Sequence, residues 1–325
     1  MRRLIRTAGL AALLLAGAIP CAHPQGAAKR QYKDQGEYDL VAQAVRGDAG
    51  DPAVHIRALN AWARQYPDSD FKDERSSMLA LAYNRLTPPQ PAKVLEYASE
   101  IVARDLKTVF DDTPSGAARA LQFLYVTTGA AGMLPNPTAA QADTGWVAAQ
   151  KLQAGAAAFF APANKPASTS GADWDQQRAT MVEAADHTLM MLEIYQAEAV
   201  LARRPQVPAD CRDIAEPAYQ RALVDFPLRA YVSYKLAQAL QCQQAESPGK
   251  ISLAVYEYQR AAVIDPTLGG AQPDAAIIPE YADKAYILVH GSADGLNELK
   301  RLVKRSALPP EGFRIMTAHE AAGGQ

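Results

Sequence analysis

Apolar residues recur along most of this chain at spacings of three and four, which is the period of an α-helix with one buried face. No run rich in Val, Ile and Thr alternates in the way that a half-buried strand requires. The predicted fold class is therefore all-α. The clearest predicted helices cover residues 53–65, 91–106, 117–126, 146–160, 173–203, 279–290 and 295–304.

Turn-forming residues mark where these helices begin and end. Asp51-Pro52 is typical of a capping residue followed by proline in the first helical turn. Gly291 is a good C-terminal stop, and Ser292 or Asp294 is the predicted cap of the helix that follows. Two stretches rich in Gly, Pro and Ala are predicted to be loops, namely 129–144 and 161–172.

One apolar pattern occurs more than once. It comprises Leu236, Ala237 and Leu240 and then Ala254, Tyr258, Ala261 and Pro266, and its second half returns as Ala215, Tyr219, Ala222 and Pro227. Small residues let two helices approach closely, larger ones fill the groove between them, and proline ends the unit. The pattern therefore predicts stacked helical hairpins.

These residues resemble a degenerate tetratricopeptide repeat, a family whose repeat length is about 34 residues. The stretch from Tyr258 to Pro266 matches the end of the second repeat helix most closely. The resemblance implies a TPR-like right-handed solenoid of antiparallel helical hairpins. The C-terminal stretches 290–296 and 308–313 are also similar to the tails of uncharacterised exported repeat proteins of acidobacteria.

The first 28 residues are predicted to be a signal peptide. Arg2, Arg3 and Arg6 form a basic start, an apolar stretch of 8–19 follows, and a cut after Ala28 satisfies the small-residue rule. A lipid anchor at Cys21 is disfavoured, because Pro20 would occupy the cleavage position. The predicted location is periplasmic or secreted.

The rest of the chain is predicted to divide into four parts. An N-terminal helical-hairpin region covers 29–160, and 161–172 is a linker or mobile loop. A C-terminal TPR-like region covers 173–315, and 316–325 is a disordered tail. No segment after the signal peptide is long and apolar enough to span a bilayer.

Composition and charge narrow the classes of partner. The formal net charge is -2 and the pI is about 6.2, which argues against a broad electrostatic grip on nucleic acid. The basic positions Lys300, Arg301, Lys304 and Arg305 are interpreted as a solvated helix face, with contact to an anionic lipid or polymer as the alternative.

Cys211 and Cys242 are predicted to form a disulfide. They lie sixteen residues before and fifteen residues after Pro227, the predicted hairpin turn, so an antiparallel pair of helices would bring them together. An exported protein meets an oxidising compartment, where such thiols pair. The alternative is two reduced cysteines buried as small apolar residues.

Reaction chemistry has little support in the sequence. The five histidines are scattered, and none has a partner at metal-binding spacing. Acidic pairs such as Asp111-Asp112 are typical of helix caps, and Gly291-Ser292-Ala293-Asp294-Gly295 lacks the order of a nucleophile elbow. We therefore expect no catalytic residues, no metal site and no cofactor.

Tyr231 and Tyr234 are the candidate partner-binding residues. They lie early in the first helix of the best repeat, the element that lines the concave side in this family. Tyrosine offers a large contact area with one hydrogen-bonding group, which suits binding. Ordinary packing between helices is the alternative.

The expected function is that of an exported TPR-like scaffold, without catalysis, that binds a protein or peptide in the cell envelope. One alternative is a helper of cell-wall or outer-membrane assembly. Another is an enzyme whose site lies in the irregular region 107–172. Buried, converging carboxylates or histidines there would favour the enzyme, and an open groove would favour binding.

Overall fold

The computed structural model describes residues 30–47, 50–225, 227–264 and 278–323. These residues form helices joined by turns, with no strand among them, so the predicted all-α class is confirmed. The predicted signal peptide, Cys21 and Pro266 lie outside the described ranges. The α-helices are α1 (Gln35–Gly47), α2 (Pro52–Gln65), α3 (Lys72–Arg85), α4 (Pro91–Val102), α5 (Leu106–Phe110), α6 (Pro114–Met133), α7 (Ala139–Phe159), α8 (Gly171–Ala202), α9 (Pro208–Asp210), α10 (Glu216–Asp225), α11 (Ala230–Cys242), α12 (Lys250–Val263), α13 (Ile278–His290), α14 (Leu296–Val303) and α15 (Ala318–Gly323).

The chain divides into two compact units, and the division falls between Thr188 and Leu189, inside α8. The stretch predicted to be a linker, 161–172, contains a short 3₁₀ turn, Pro162–Asn164. Within it the Lys165 ammonium donates a hydrogen bond to the carbonyl of Thr169 at 2.7 Å. The short helix α15 lies in the stretch predicted to be a tail.

In the first unit, α2 starts as its sequence predicts. The Asp51 carboxylate accepts a hydrogen bond from the backbone N–H of Ala53 at 2.8 Å, and Pro52 occupies the first turn. The buried face of α2 then places Trp62 in the core, where its indole N–H donates to the carboxylate of Glu37 at 3.2 Å. The guanidinium of Arg75 lies 5.2 Å from the centre of the Trp62 ring. The indole of Trp62 therefore has a charged partner at its N–H group and another at its ring face.

The predicted loop at 129–144 is wrong. Helix α6 continues to Met133, and α7 already begins at Ala139. Thr138 starts α7 with a capping box, because its hydroxyl accepts from the Gln141 N–H at 3.3 Å while the Gln141 side chain accepts from the Thr138 N–H at 2.9 Å.

Glycine misled the sequence interpretation at this point, because Gly132 serves packing and does not form a turn. A Cβ at Gly132 would lie 3.0 Å from the hydroxyl oxygen of Thr188. That hydroxyl donates to the carbonyl of Thr128 at 3.2 Å, so the absence of a side chain lets α8 approach α6 closely.

In the second unit, the residues of the repeated apolar pattern lie together. They belong to one buried cluster: Ala215, Tyr219, Ala222, Leu236, Ala237, Leu240, Ala254 and Tyr258. Helices that follow one another in sequence pack on one another here, α10 on α11, α11 on α12 and α12 on α13. The periodicity therefore identified the core-facing side of α10, α11 and α12, whereas Tyr281 and Leu288, predicted to face inward on α13, are exposed.

The turn between α13 and α14 is built from two glycines. Gly291 adopts φ 98° and its N–H donates to the carbonyl of Ile287 at 2.8 Å, which confirms it as the stop of α13. The predicted cap of α14 at Ser292 or Asp294 is wrong, because Gly295 with φ 80° takes that position and no side chain caps the helix. A Cβ at Gly295 would meet the Tyr286 hydroxyl at 2.8 Å, so close packing excludes a larger residue.

Among the described helices, none combines the length and the apolar character that crossing a bilayer demands.

Candidate functional site

An open cleft of about 740 Å³ lies in the second unit, between α13, α14 and the extended residues 313–316. This volume is within the usual range of ligand pockets, roughly 300–1,000 Å³. One wall is formed by Glu298, Arg301 and Leu302, whose spacing of three and four places them on one face of α14, and by Arg305 in the turn that follows the helix. We call this feature the α13–α14 cleft.

The second wall of the cleft is the extended segment 313–316. Its apolar side chains, Phe313 and Ile315, pack against the buried cluster of Val255, Tyr256 and Tyr286, while Arg314 and Met316 are exposed. The Phe313 ring lies 5.1 Å from that of Tyr256, edge to face. This alternation is the period of an extended chain with one buried side.

Backbone hydrogen bonds fix the same segment. The N–H of Ile315 donates to the Ser252 hydroxyl oxygen at 3.1 Å, and the His290 ring Nδ1–H donates to the carbonyl of Met316. Thr317 follows, and its N–H donates to the carboxylate of Glu320 at 2.8 Å at the start of α15. These contacts hold residues 315–317 against α12 and α13, and the disordered tail expected over 316–325 stays a prediction.

The floor of the cleft is apolar and aromatic. Tyr286 and Leu299 are buried, and the His290 ring stacks on Tyr286 with 5.3 Å between the ring centres. The Tyr286 hydroxyl donates to the carbonyl of Asp294 at 2.6 Å. Burial, followed by the nearby Asp294 and Glu298 carboxylates, raises the pKa of Tyr286, so this hydroxyl remains a hydrogen-bond donor at neutral pH.

Three guanidinium groups line the cleft. Arg301 donates to Glu298 at 2.6 Å and Arg314 donates to Glu320 at 3.1 Å. Arg305 is exposed and forms no ion pair with any residue in the described ranges. The sequence interpretation placed Arg301 and Arg305 on a solvated face, and both side chains are exposed in the structure.

Tyr231 and Tyr234, the predicted partner-binding residues, do not line this cleft. The Tyr231 hydroxyl donates to the Glu198 carboxylate at 2.7 Å, and the Lys235 ammonium lies 5.2 Å from the centre of the Tyr231 ring. The Tyr234 ring lies 5.9 Å from that of Tyr258. Both tyrosines are half-buried and contact their own chain, and their role in binding a partner stays a prediction.

The predicted disulfide between Cys211 and Cys242 is confirmed, with the two Cα atoms 6.3 Å apart. It joins a single π-helical turn, Cys211–Ala215, to the end of α11. Next to it, the buried Glu216 carboxylate accepts from the Lys250 ammonium at 2.6 Å and from the Gln243 amide at 2.8 Å. This end of the unit is therefore fixed by a covalent bond and by hydrogen bonds to a buried carboxylate.

A second buried polar network joins α11 and α12. The Arg260 guanidinium donates to the Ser233 hydroxyl oxygen at 2.6 Å, to the carbonyl of Ser306 at 3.0 Å and to the carbonyl of Pro227. Glu257 lies fully buried beside them, and burial raises the pKa of its carboxyl to about 8, against smaller lowering effects of Ser233 and Arg260.

The irregular region 107–172 shows no buried acidic cluster. Its Asp111, Asp112 and Asp143 side chains are exposed, and it contains no histidine. Across the described ranges, no group of three or more His, Cys, Asp or Glu residues is arranged to hold a metal ion. Among the residues that the structure describes, the open α13–α14 cleft has the geometry of a binding site.

Comparison of this chain with protein-family models, with curated proteins and with solved structures finds no match.

Proposed function

We propose that this protein is an exported, TPR-like scaffold that binds a protein or peptide in the cell envelope, in a right-handed solenoid of helical hairpins. The α13–α14 cleft is the observation that carries the proposal. It is open, it has an apolar floor, and charged side chains line its rim, which is the usual composition of a peptide-binding groove.

The hairpin architecture is consistent with such a role. Helices α10 to α13 pack on one another in succession around a shared apolar cluster, as helices do in repeat proteins that present extended binding surfaces. Fold alone does not determine function, so the proposal depends on the cleft and not on the resemblance.

Export has separate support. Disulfides persist in oxidising compartments and are rare in the cytosol, and the Cys211–Cys242 bond is present. The basic and apolar start of the chain fits a secretory signal. Intact-mass measurement of the protein recovered from its native host would then give a chain that begins at Lys29.

An array of immobilised short peptides of varied sequence tests the binding function. We expect the purified protein to bind a subset of them, and the same peptides in solution to compete for that binding. A uniform absence of binding across apolar, acidic and basic peptides would reject the scaffold proposal.

A further inference from the structure

We propose that the α13–α14 cleft binds an extended peptide that carries an apolar side chain and, to one side of it only, carboxylate side chains. This inference rests on the proposed scaffold function and names the chemistry of its partner. It follows from the charges on the two walls and from the shape and polarity of the floor.

The positive charges come from both walls. Arg301 and Arg305 lie on the face of α14 and its C-terminal turn, and Arg314 lies on the extended segment opposite. A guanidinium has five N–H donors, and the one carboxylate contact of Arg301 or of Arg314 leaves others for a ligand. Arg305 has its whole guanidinium available, since no described residue pairs with it. A carboxylate is the group that this planar donor binds best in a bidentate manner.

The charges are ordered along the cleft. Asp294 and Glu298 lie near the start of α14, and Arg301 and Arg305 lie near its end. At ~1.5 Å of rise per residue, Arg301 lies roughly 5 Å beyond Glu298 along α14, and Arg305 follows in the turn after the helix. A ligand therefore meets acidic groups at one end and basic groups at the other, and its carboxylates are directed towards Arg305.

The same order of charges argues against a uniformly anionic surface as the ligand of the cleft. A membrane rich in anionic lipid would bring negative charge against Asp294 and Glu298 as well as against the arginines. A peptide can place its carboxylates at one end only, and can insert an apolar side chain between Tyr286, Leu299 and Phe313. The mixed lining thus favours a peptide.

The test uses a short fluorescent peptide in which leucine and phenylalanine are followed by a run of glutamates, and measures its anisotropy with the purified protein. Arg305→Glu should weaken binding by about tenfold or more, since it replaces a charge-assisted hydrogen bond with a repulsion. Lys304→Glu is the matched control, because Lys304 is exposed, adjacent and outside the cleft. It makes the same change in net charge and should weaken binding by less than about threefold.

Further probes separate this inference from the proposed function. A peptide with glutamine in place of glutamate should bind about tenfold more weakly, and binding of the acidic peptide should fall as salt rises. Equal binding of the two peptides, with Arg305→Glu unaffected, would overturn the inference and leave the scaffold function standing. Loss of binding for every peptide would reject both, and Arg305-dependent binding of anionic vesicles in place of the peptides would overturn the choice of ligand.

Discussion

At the scale of single residues, the protonation of Glu257 links stability to pH. Burial raises the pKa of its carboxyl to about 8 from an ordinary value of 4.5. The folded protein therefore holds this proton more tightly than the unfolded chain does. Its contribution to stability is complete below pH 4.5 and decreases as pH rises from 4.5 to about 8.

Glu257→Gln should remove this part of the pH dependence, because an amide keeps the shape of the neutral acid and does not ionise. We expect the variant to be more stable than the parent at pH 8, by on the order of a few kcal/mol, and close to the parent at pH 4.5. Urea unfolding midpoints across this pH range measure the difference. Glu311→Gln, at an exposed position, is the control, and a Glu257→Gln curve parallel to that of the parent would contradict the account.

Two glycines in α6 differ in whether the structure has room for a side chain in their place. A Cβ on Gly116 would lie 2.1 Å from the carbonyl oxygen of Phe110 and 2.5 Å from that of Asp111. A Cβ on Gly129 would meet nothing within 4 Å. The helix start thus requires glycine at Gly116, whereas the helix interior tolerates alanine at Gly129.

Gly116→Ala should therefore destabilise the protein strongly, because the colliding atoms belong to the backbone and the turn before α6 must move. Gly129→Ala should stabilise it by roughly 0.5–1 kcal/mol, the usual gain of alanine over glycine inside a helix. Thermal unfolding of the two variants beside the parent measures both effects. Similar unfolding temperatures for Gly116→Ala and the parent would show that the turn is not as close to the helix as described.

At the scale of elements, the disulfide restrains the stretch from the π-helical turn to the end of α11. Cys211 and Cys242 are 31 residues apart, and linking them reduces the conformational freedom of the unfolded chain. The double variant Cys211→Ser and Cys242→Ser should lose about 2–4 kcal/mol of stability. Denaturant unfolding of the oxidised parent, the reduced parent and the double variant measures this loss. Identical stability of all three would refute the prediction.

The sequence predicted the helical elements best where a regular apolar face coincided with a strong end signal. Asp51 and Pro52 located the start of α2, and Gly291 located the end of α13. The loop predicted between α6 and α7 was wrong. Glycine is typical of loops, but Gly132 lies inside α6, where it lets α8 approach closely. Local sequence carries no information about the Thr188 side chain that approaches it.

At the scale of the molecule, the candidate site was harder to predict than the fold. The sequence identified the basic residues of α14 but not the wall that faces them, because the 313–316 segment comes from outside any predicted helix. The alternation of Phe313, Arg314, Ile315 and Met316 was the available signal, and it is too short to stand out. The buried partners on α12 and α13 that hold this segment in place could be found only in three dimensions.

Tyr231 was predicted to bind a partner because of its residue type, whereas the cleft was not predicted at all. Its hydroxyl has an intramolecular partner in Glu198 and its ring has Lys235, so the contacts in the structure are those of packing between helices. If Tyr231 and Tyr234 bind a partner, they do so while keeping these contacts within the chain.

The central claim is that this protein holds a peptide in the α13–α14 cleft. Hydrogen exchange, followed by mass spectrometry with and without the acidic peptide, tests it most directly. We predict slower exchange in α13, α14 and residues 313–316, and unchanged exchange in α2 and α3 of the first unit. Protection that appears elsewhere in the chain while the cleft exchanges at its original rate would contradict the account.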